Sequence, residues 1–393
     1  MGVSPELGPI LHEVAQIPAN SLTWMRIGWA ERFREGQRAR RGTPFTTSLV
    51  SGSAGRRYSP PMATSDDLTV TPALPAPALD IGQIRAAAVR IAPFVNRTPV
   101  LTSEVLDAAA GATLHFKCEN FQNVGAFKAR GATNAVLSLT DEEAAPGVVT
   151  HSSGNHAAAL ARAARIRGIP AHIVMPSNSP QVKVASVERY GGLVVLCEPT
   201  LEARESTAAA VMAETGATFI HPYDDLRVMA GQGTAALELL EEVPDLDVVL
   251  CPVGGGGLLS GTAVAVRALR SEASVIGVEP ALADDAARSF RAGRLILLDS
   301  TTTIADGLRT SLSPRTLAHI LRDVAAITTV EEASIVTAMR TMFEVLKIVV
   351  EPSGAVPYAA LVEAPHRFAG LRVGIIVSGG NLDLDHLPWQ RSR

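Results

Sequence analysis

The chain has 393 residues, a hydrophobic content of 47%, a charged content of 19% and a formal net charge of −4. This composition is ordinary for a globular protein. The net negative charge argues against a protein that binds nucleic acid or anionic lipid through a basic surface. No apolar run is long enough to span a membrane. The cysteines Cys118, Cys197 and Cys251 are widely separated, which argues against a disulfide framework or a zinc site and favours a cytoplasmic location.

The N-terminal segment differs in composition from the rest of the chain. It includes "RFREGQRARRGTPFTTSLVSGSAGRRYSPP", which is rich in Arg, Gly, Ser and Pro and has neither a strand period nor a helix period. An arginine-rich leader of this kind could be an organelle transit peptide, but we interpret residues 1–79 as a disordered tail and linker. Met62 is then a candidate start of translation, and the folded part begins near Asp80.

From Gly147 onwards, apolar strand-like runs alternate with helical stretches, as in "GVVTHSS", "AHIVMP", "LVVLCE" and "LDVVLCPV". This alternation predicts right-handed βαβ units and parallel sheets covered on both faces. We therefore expect an α/β fold with two doubly wound parallel-sheet lobes and the active site between them. The large domain would comprise residues 80–146 and 225–393, and the small mobile domain residues 147–224.

The clearest motif follows the predicted strand "DVVLCPV". Four glycines in a row, with Leu258 behind them, open a helix: Gly254, Gly255, Gly256 and Gly257. Backbone N–H groups and the positive end of the helix dipole together bind phosphate without a basic side chain. The motif is neither a Walker loop nor a dinucleotide fingerprint, so a phosphate other than that of a nucleoside triphosphate is indicated.

Two further strand ends carry polar groups, and in parallel sheets ligands lie beyond such ends. "SSGNH" starts a helix and offers N–H groups and hydroxyls to a carboxylate, although simple N-capping by serine would explain it equally well. The third strand end carries Ser378. Its segment, "SGGN", also ends in Asn381.

A single lysine completes the set. Lys128 lies between Phe127 and Ala129 in "ENFQNVGAFKARGATNA". A phosphate site, a small-anion turn and one lysine together suit pyridoxal phosphate with an amino-acid substrate, the lysine holding the aldehyde as a Schiff base. Burial beside Phe127 would lower the pKa of the amine from its usual value of about 10.4 and so activate it.

In this order, the motifs resemble the β-family, fold type II, of pyridoxal-phosphate enzymes, whose fold is that of the tryptophan synthase β-subunit. Within it, residues 81–387 resemble the serine/threonine dehydratase and serine racemase branch. The resemblance implies that Lys128 is the covalent attachment point, Phe127 packs on the ring and Asn155 bonds its phenolic oxygen. It further implies phosphate binding by Gly254–Gly257 with Leu258, Gly307 beside the ring, Ser378 at the ring nitrogen, and a substrate carboxylate held by Ser152, Ser153 and His156.

The resemblance also implies two more sites. "GVEPALADDAARS" resembles a divalent-cation site in which Glu279, the Ala283 carbonyl and Asp285 bind Mg²⁺ or Ca²⁺; from the residues alone, a solvated acidic loop would be the simpler interpretation. "CEPTLEARES" places Arg204 at the side-chain end of the substrate.

These observations leave several activities open. We expect an ammonia-lyase (dehydratase) acting on L-threonine or L-serine, with Lys128 removing the α-proton. A 3-hydroxyaspartate ammonia-lyase would use Arg204 for a second carboxylate. A serine racemase with dehydratase side activity would use Ser153 as the acid on the opposite face. A non-catalytic amino-acid sensor would not need the lysine. We expect a homodimer that binds a small amino acid and neither nucleic acid nor membrane.

Overall fold

The structure is a computed structural model that describes residues 74–298 and 300–390. Contacts group all of these residues in one unit that spans residues 70–393. The candidate start at Met62 and most of the predicted tail lie outside the described residues. None of the described helices is long and apolar enough to cross a membrane.

The described strands form two sheets. One has the order β1-β2-β10-β7-β8-β9 and the other the order β5-β4-β3-β6. In chain order the strands are Val100–Leu101 (β1), Thr113–Cys118 (β2), Val148–His151 (β3), Ala171–Pro176 (β4), Leu193–Cys197 (β5), Thr218–Phe219 (β6), Val248–Pro252 (β7), Ser274–Pro280 (β8), Ala326–Val330 (β9) and Arg372–Val377 (β10).

Helices connect and cover these strands. The described α-helices are Ile81–Ile91 (α1), Glu104–Ala110 (α2), Lys128–Leu137 (α3), Asp141–Ala144 (α4), Asn155–Arg167 (α5), Gln181–Arg189 (α6), Leu201–Thr215 (α7), Leu226–Glu242 (α8), Gly257–Leu269 (α9), Asp285–Ala292 (α10), Pro314–Asp323 (α11), Glu332–Thr341 (α12) and Pro352–Glu363 (α13). Short 3₁₀ turns include Glu119–Phe121, Asn123–Gly125, Ala281–Ala283 and Asp306–Leu308.

The predicted α/β fold with parallel sheets is confirmed. Every sheet pairing is parallel except the one between β1 and β2, which is antiparallel. Sequence periodicity did not predict β1, β2 or β9. The first of these is only two residues long, and short strands carry little periodic signal. The three cysteines are free and buried.

Glycine contacts bring the central helices unusually close together. Helices α3 and α8 cross at Gly131 and Gly231, where a Cβ on Gly231 would lie 2.6 Å from the Cα of Gly131. Helices α8 and α9 cross at Gly233 and Gly261, where a Cβ on Gly261 would lie 2.5 Å from the carbonyl oxygen of Met229. Backbones can approach this closely only without side chains, so these glycines set the position of α3, whose first residue is Lys128.

The four-stranded sheet shares a core with residues on both sides of the predicted domain boundary at 146. Ala132, Val136 and Ala144 pack in one cluster with Val148 and Ile173 of the sheet. Helices α3 and α4 therefore share a hydrophobic core with this sheet, although the sequence assigned them to the large domain. The division into a large domain and a small mobile domain stays a prediction.

The folded part begins slightly earlier than the sequence predicts. Leu79 is buried, and its backbone N–H donates to His319 Nε2 at 3.0 Å. The Arg322 guanidinium donates to the carbonyl oxygens of Pro77 and Leu79 at 3.2 and 3.4 Å. The end of the predicted linker is thus attached to α11 because an apolar side chain is buried there and its carbonyls are satisfied.

Candidate active site

Two of the three polar strand ends lie side by side. Strands β7 and β10 are paired neighbours in the six-stranded sheet, so Gly254 and Ser378 follow them at the same carboxyl edge. Ser378 is buried, and its carbonyl oxygen accepts a hydrogen bond from the N–H of Phe127 at 3.0 Å. A bridge between Ala126 and Gly379 continues this contact. The structure therefore joins the lysine segment to the "SGGN" segment.

Lys128 is the first residue of α3 and is only partly exposed. Its Nζ donates to the carbonyl oxygen of Pro222 at 2.8 Å and lies 5.1 Å from the centre of the Phe127 ring. Burial lowers the pKa of this amine to about 8, against a smaller opposing effect of Glu351. About a tenth of the amine is therefore neutral, and able to act as a nucleophile, at pH 7.

The glycine loop has the geometry of an anion site. Gly256 has φ of +86°, which glycine adopts readily, and no side chain caps the helix α9 that follows. A Cβ on Gly254 would lie 2.9 Å from Cα of Leu308, so Gly307 and its neighbour line the loop. Uncapped N–H groups at a helix start remain available for a phosphate.

The ring of Tyr223 covers this loop and was not predicted from the sequence. A Cβ on Gly255 would lie 2.3 Å from a ring carbon of Tyr223, and the ring contacts the imidazole of His221 at 4.5 Å between centroids. Nδ1 of His221 accepts the backbone N–H of Asp224 at 2.9 Å. Nε2 therefore carries the proton in the neutral ring, and burial lowers the pKa of His221 to about 4.

The serine turn opens α5 without a side-chain cap, and although the N–H of Ser152 donates to the Val174 carbonyl oxygen, the first N–H groups of α5 itself have no acceptor among the described residues. Ser152 and Ser153 are partly exposed, and the Oγ of Ser152 accepts the N–H of Gly154 at 3.3 Å. His156 is buried; its Nε2 lies 3.3 Å from the Ile220 carbonyl, and its pKa lies well below its usual value because of burial. The neutral His156 ring therefore cannot attract a carboxylate by charge, and a role for its backbone N–H stays a prediction.

Asn155 connects the turn to two residues to which the sequence gave no role. Its Nδ2 donates to the carboxylate of Glu351 at 2.9 Å, and its Oδ1 accepts from Nδ2 of Asn381 at 3.0 Å. Glu351 is 4% exposed. The signal for Glu351 is a single acid in the apolar run "KIVVEPSGAV", immediately before a proline at the start of α13.

Arg204 lies on α7 and is partly exposed. Its Nε donates to the Thr200 carbonyl oxygen of its own helix at 3.3 Å, and it has no ion-pair partner among the residues that the structure describes. Burial and, to a smaller extent, the Arg204 charge lower the pKa of His151. Burial raises the pKa of Tyr223 to about 12 against a small opposing effect of Arg204, so the guanidinium lies near both side chains.

The candidate cation ligands form a separate buried group. Both oxygens of Glu279 accept backbone N–H groups, from Ala286 at 3.2 Å and Ala287 at 2.6 Å. Oδ2 of the buried Asp285 has no hydrogen-bond partner, and Ala283 ends the adjoining 3₁₀ turn. Burial raises the pKa of Glu279 to about 9 and that of Asp285 to about 6. No group of three or more His, Cys, Asp or Glu that could hold a metal occurs in the described part of the chain.

Comparison with known proteins identifies the family. Residues 91–379 match the family described as "Pyridoxal-phosphate dependent enzyme". The chain belongs to this family. Its fold is that of solved members: it resembles maize serine racemase with a TM-score of 0.76 at 49% identity, covering 78% of this chain and 95% of that one.

Two further relatives represent other reactions. A β-hydroxyaspartate dehydratase of Paracoccus denitrificans is 54% identical over 304 residues, which are 77% of this chain and 96% of that protein. The processed form of threonine deaminase isoform 2 from Solanum lycopersicum is 30% identical with a TM-score of 0.73, covering 80% of this chain and 94% of that one. The relatives therefore include a dehydratase, a deaminase and a racemase.

The residues present fit pyridoxal phosphate. The uncapped glycine loop ahead of α9 provides phosphate donors, and Lys128 provides an amine with a lowered pKa. Asn155 directs Nδ2 at both oxygens of the Glu351 carboxylate, which one N–H can serve, and this leaves its second N–H unused among the described residues. These groups surround the carboxyl edge of β7 and β10 and the start of α5. Roles for individual residues, including Gly307, Leu258 and Ser378, stay predictions from the resemblance.

Proposed function

We propose that this pyridoxal-phosphate enzyme is an ammonia-lyase whose preferred substrate is a 3-hydroxyaspartate rather than threonine or serine. The observation that carries the proposal is Arg204, a half-buried guanidinium with no acidic partner among the described residues. An unpaired guanidinium binds a carboxylate in bidentate fashion, and the hydroxymethyl group of serine or the methyl group of threonine offers it no anion. The relationship to a protein named β-hydroxyaspartate dehydratase supports this assignment.

The chain's own residues have distinct tasks in this reaction. The N–H groups at the start of α5 hold the α-carboxylate with the helix dipole, and Arg204 holds the β-carboxylate. Bound pyridoxal phosphate supplies a ring that withdraws electrons from the substrate Cα. The neutral amine of Lys128 removes the Cα proton, the β-hydroxyl leaves as water, and hydrolysis of the released enamine gives the 2-oxo acid and ammonia.

We also infer a cation site. Two buried carboxylates, Glu279 and Asp285, and the carbonyl of Ala283 would bind Mg²⁺ or Ca²⁺ together with water molecules. The unpartnered Oδ2 of Asp285 supports this, because an orphaned buried carboxylate oxygen is costly without a ligand. We further propose a homodimer, on the resemblance alone.

The substrate proposal is tested by comparing the deamination of 3-hydroxyaspartate, L-threonine and L-serine. For Arg204→Ala we expect kcat/KM for 3-hydroxyaspartate to fall by roughly tenfold to a hundredfold, because a hydrogen-bonded charge pair is lost. The value for L-serine should change little. Arg189→Ala, which removes an exposed arginine from α6, is the matched control and should leave both values unchanged.

Two results would contradict the proposal. One is the absence of turnover of 3-hydroxyaspartate by enzyme that contains its cofactor. The other is an equal loss of activity toward all three substrates in Arg204→Ala. Chiral analysis of serine after incubation would show whether the enzyme is also a racemase, for which the hydroxyl of Ser153 is available: it makes no hydrogen bond among the described residues.

A further inference from the structure

Glu351 is a buried carboxylate with donors around it but no basic partner. Its Oε1 and Oε2 accept from Nδ2 of Asn155 at 2.9 and 3.2 Å, and Oε2 also accepts the backbone N–H of Asn381 at 3.2 Å. No salt bridge involves Glu351 among the described residues. A buried acid in this position costs stability unless it is bonded, so a purely packing role would be better filled by an apolar side chain.

Asn381 fixes the other side of the same amide. Its Nδ2 donates both to Oδ1 of Asn155 at 3.0 Å and to the carbonyl oxygen of Val124 at 2.7 Å. Val124 has φ of +59°, an uncommon value for a β-branched residue, and it lies four residues before Lys128. Asn381 also fills the space beside Gly125, where a Cβ would lie 2.4 Å from its Oδ1. The lysine-bearing loop thus holds the Asn381 amide in place.

Together these contacts allow only one orientation of the Asn155 amide. Its oxygen faces a donor, and its nitrogen faces a carboxylate. A flip would place Oδ1 against the Glu351 carboxylate and Nδ2 against the Asn381 amide nitrogen, and both contacts would be repulsive. Both contacts of Nδ2 are to the two oxygens of one carboxylate, which lie too close together to take both N–H groups, so one N–H serves both oxygens and the other has no acceptor among the described residues. This N–H is therefore held in a fixed direction, available to a bound ligand.

The charges around Glu351 come from several elements. Burial and the nearby Asp306 raise the pKa of Glu351 to about 7, whereas Lys183 of α6 opposes this rise. Lys183 and Asp306 form an ion pair at 2.7 Å, and Lys128 is also close enough to feel the Glu351 charge. The two N–H donors that point at the carboxyl group bond the ionised form, which accepts from both.

We infer that Glu351, held in register by Asn381, is a positioning residue that orients the Asn155 carboxamide so that its remaining N–H donates to the phenolic oxygen of pyridoxal phosphate. Cofactor affinity and the electronic state of the ring then depend on a residue that does not touch the cofactor. The inference concerns the cofactor site and does not depend on which hydroxy amino acid is the substrate.

A double-mutant cycle on cofactor binding tests this inference without any substrate. Apoprotein of the wild type, Glu351→Gln, Asn155→Ala and the double variant is titrated with pyridoxal phosphate, and the dissociation constant and the absorption maximum of the bound cofactor are measured. We expect Glu351→Gln to weaken binding by roughly tenfold to a hundredfold and to shift the maximum, because the amide side chain cannot accept from both donors. In the Asn155→Ala background, Glu351→Gln should cause no further change.

Two results would overturn the inference in favour of a structural role. One is a change in the dissociation constant of the double variant that equals the product of the two separate effects. The other is an unchanged absorption maximum in Glu351→Gln. Thermal melting of each apoprotein verifies that it is folded. If Glu351→Gln does not fold, Glu351→Asp serves instead, since it keeps the charge but shortens the side chain by one methylene and draws the carboxylate away from Asn155. Loss of 3-hydroxyaspartate turnover in the wild type would leave these spectral results unaffected, so the two proposals fail separately.

Discussion

Lys128 shows how a residue type and its surroundings together define chemistry. The sequence predicts a buried, activated lysine from one phenylalanine and a glycine nearby. The structure adds the groups that bring this about: the Pro222 carbonyl that accepts from Nζ, and an environment that lowers the pKa to about 8. Pro222 is 94 residues away in sequence, so no local pattern could identify it.

The lowered pKa predicts how covalent attachment of the cofactor depends on pH. Only the neutral amine reacts, and its fraction increases as pH rises through the folded-state pKa. The attachment rate to apoprotein should therefore increase from pH 6, pass its midpoint near the pKa of about 8 and level off above it. Stopped-flow absorbance measures this rate, and Lys128→Ala should show no attachment at any pH. A rate still increasing steeply at pH 10, as for an ordinary lysine, would contradict the burial argument.

At the scale of elements, helix α3 is held in place both by the ion pairs of a buried arginine and by a close glycine contact. Two residues after Lys128, the buried Arg130 pairs with Glu119 at 2.7 Å and with Glu238 of α8 at 2.6 Å. The same helix approaches α8 at Gly131. The ion pairs and the glycine contact thus fix the direction from which the lysine enters the site.

We predict that Arg130→Met destabilises the fold by about 3–5 kcal/mol, because it leaves the buried Glu119 without its cation and leaves Glu238 with Lys117 alone. Arg97→Met is the matched control: Arg97 also pairs with a glutamate of α8, Glu241, but both side chains are at least half exposed. An exposed pair contributes at most about 1 kcal/mol. Urea unfolding of both variants measures the difference, and equal losses would show that the Arg130 network is not a special constraint on α3.

At the scale of the whole molecule, the two sheets, the loops at their carboxyl edges and the cation group occupy one unit. A ligand that binds only the folded state stabilises this whole unit against unfolding. The candidate cation ligands come from β8, a 3₁₀ turn and α10. A cation bound to them would therefore connect the six-stranded sheet with the region beside Tyr223.

Millimolar Mg²⁺ or Ca²⁺ should therefore raise the melting temperature of the wild type. The gain would be about 2.7 kcal/mol at a hundredfold excess over the dissociation constant. Glu279→Gln should abolish the metal-dependent increase, whereas Glu241→Gln, which changes an exposed carboxylate, should retain it. A metal effect of the same size in both variants would show that the cation binds elsewhere.

The sequence by itself determined the α/β class and the positions of most strands after residue 147, and it singled out the glycine loop and Lys128, whose roles stay predictions. These depend on local periodicity and on residue types that are required within a single turn. The tertiary structure decided what those motifs contact. Asn381 stood in a motif recognised from sequence but acquired a role only through Asn155, 226 residues away.

Glu351 acquired its role in the same way, through a hydrogen bond across 196 residues of sequence. The crossing at Gly131 and Gly231, the docking of Leu79 on α11 and the placement of Tyr223 on Gly255 also belong to this group. The physical reason is common to all of them. Hydrogen bonds, burial and close packing act between groups that are near in space, and the chain brings these groups together only when the two sheets and their helices have packed.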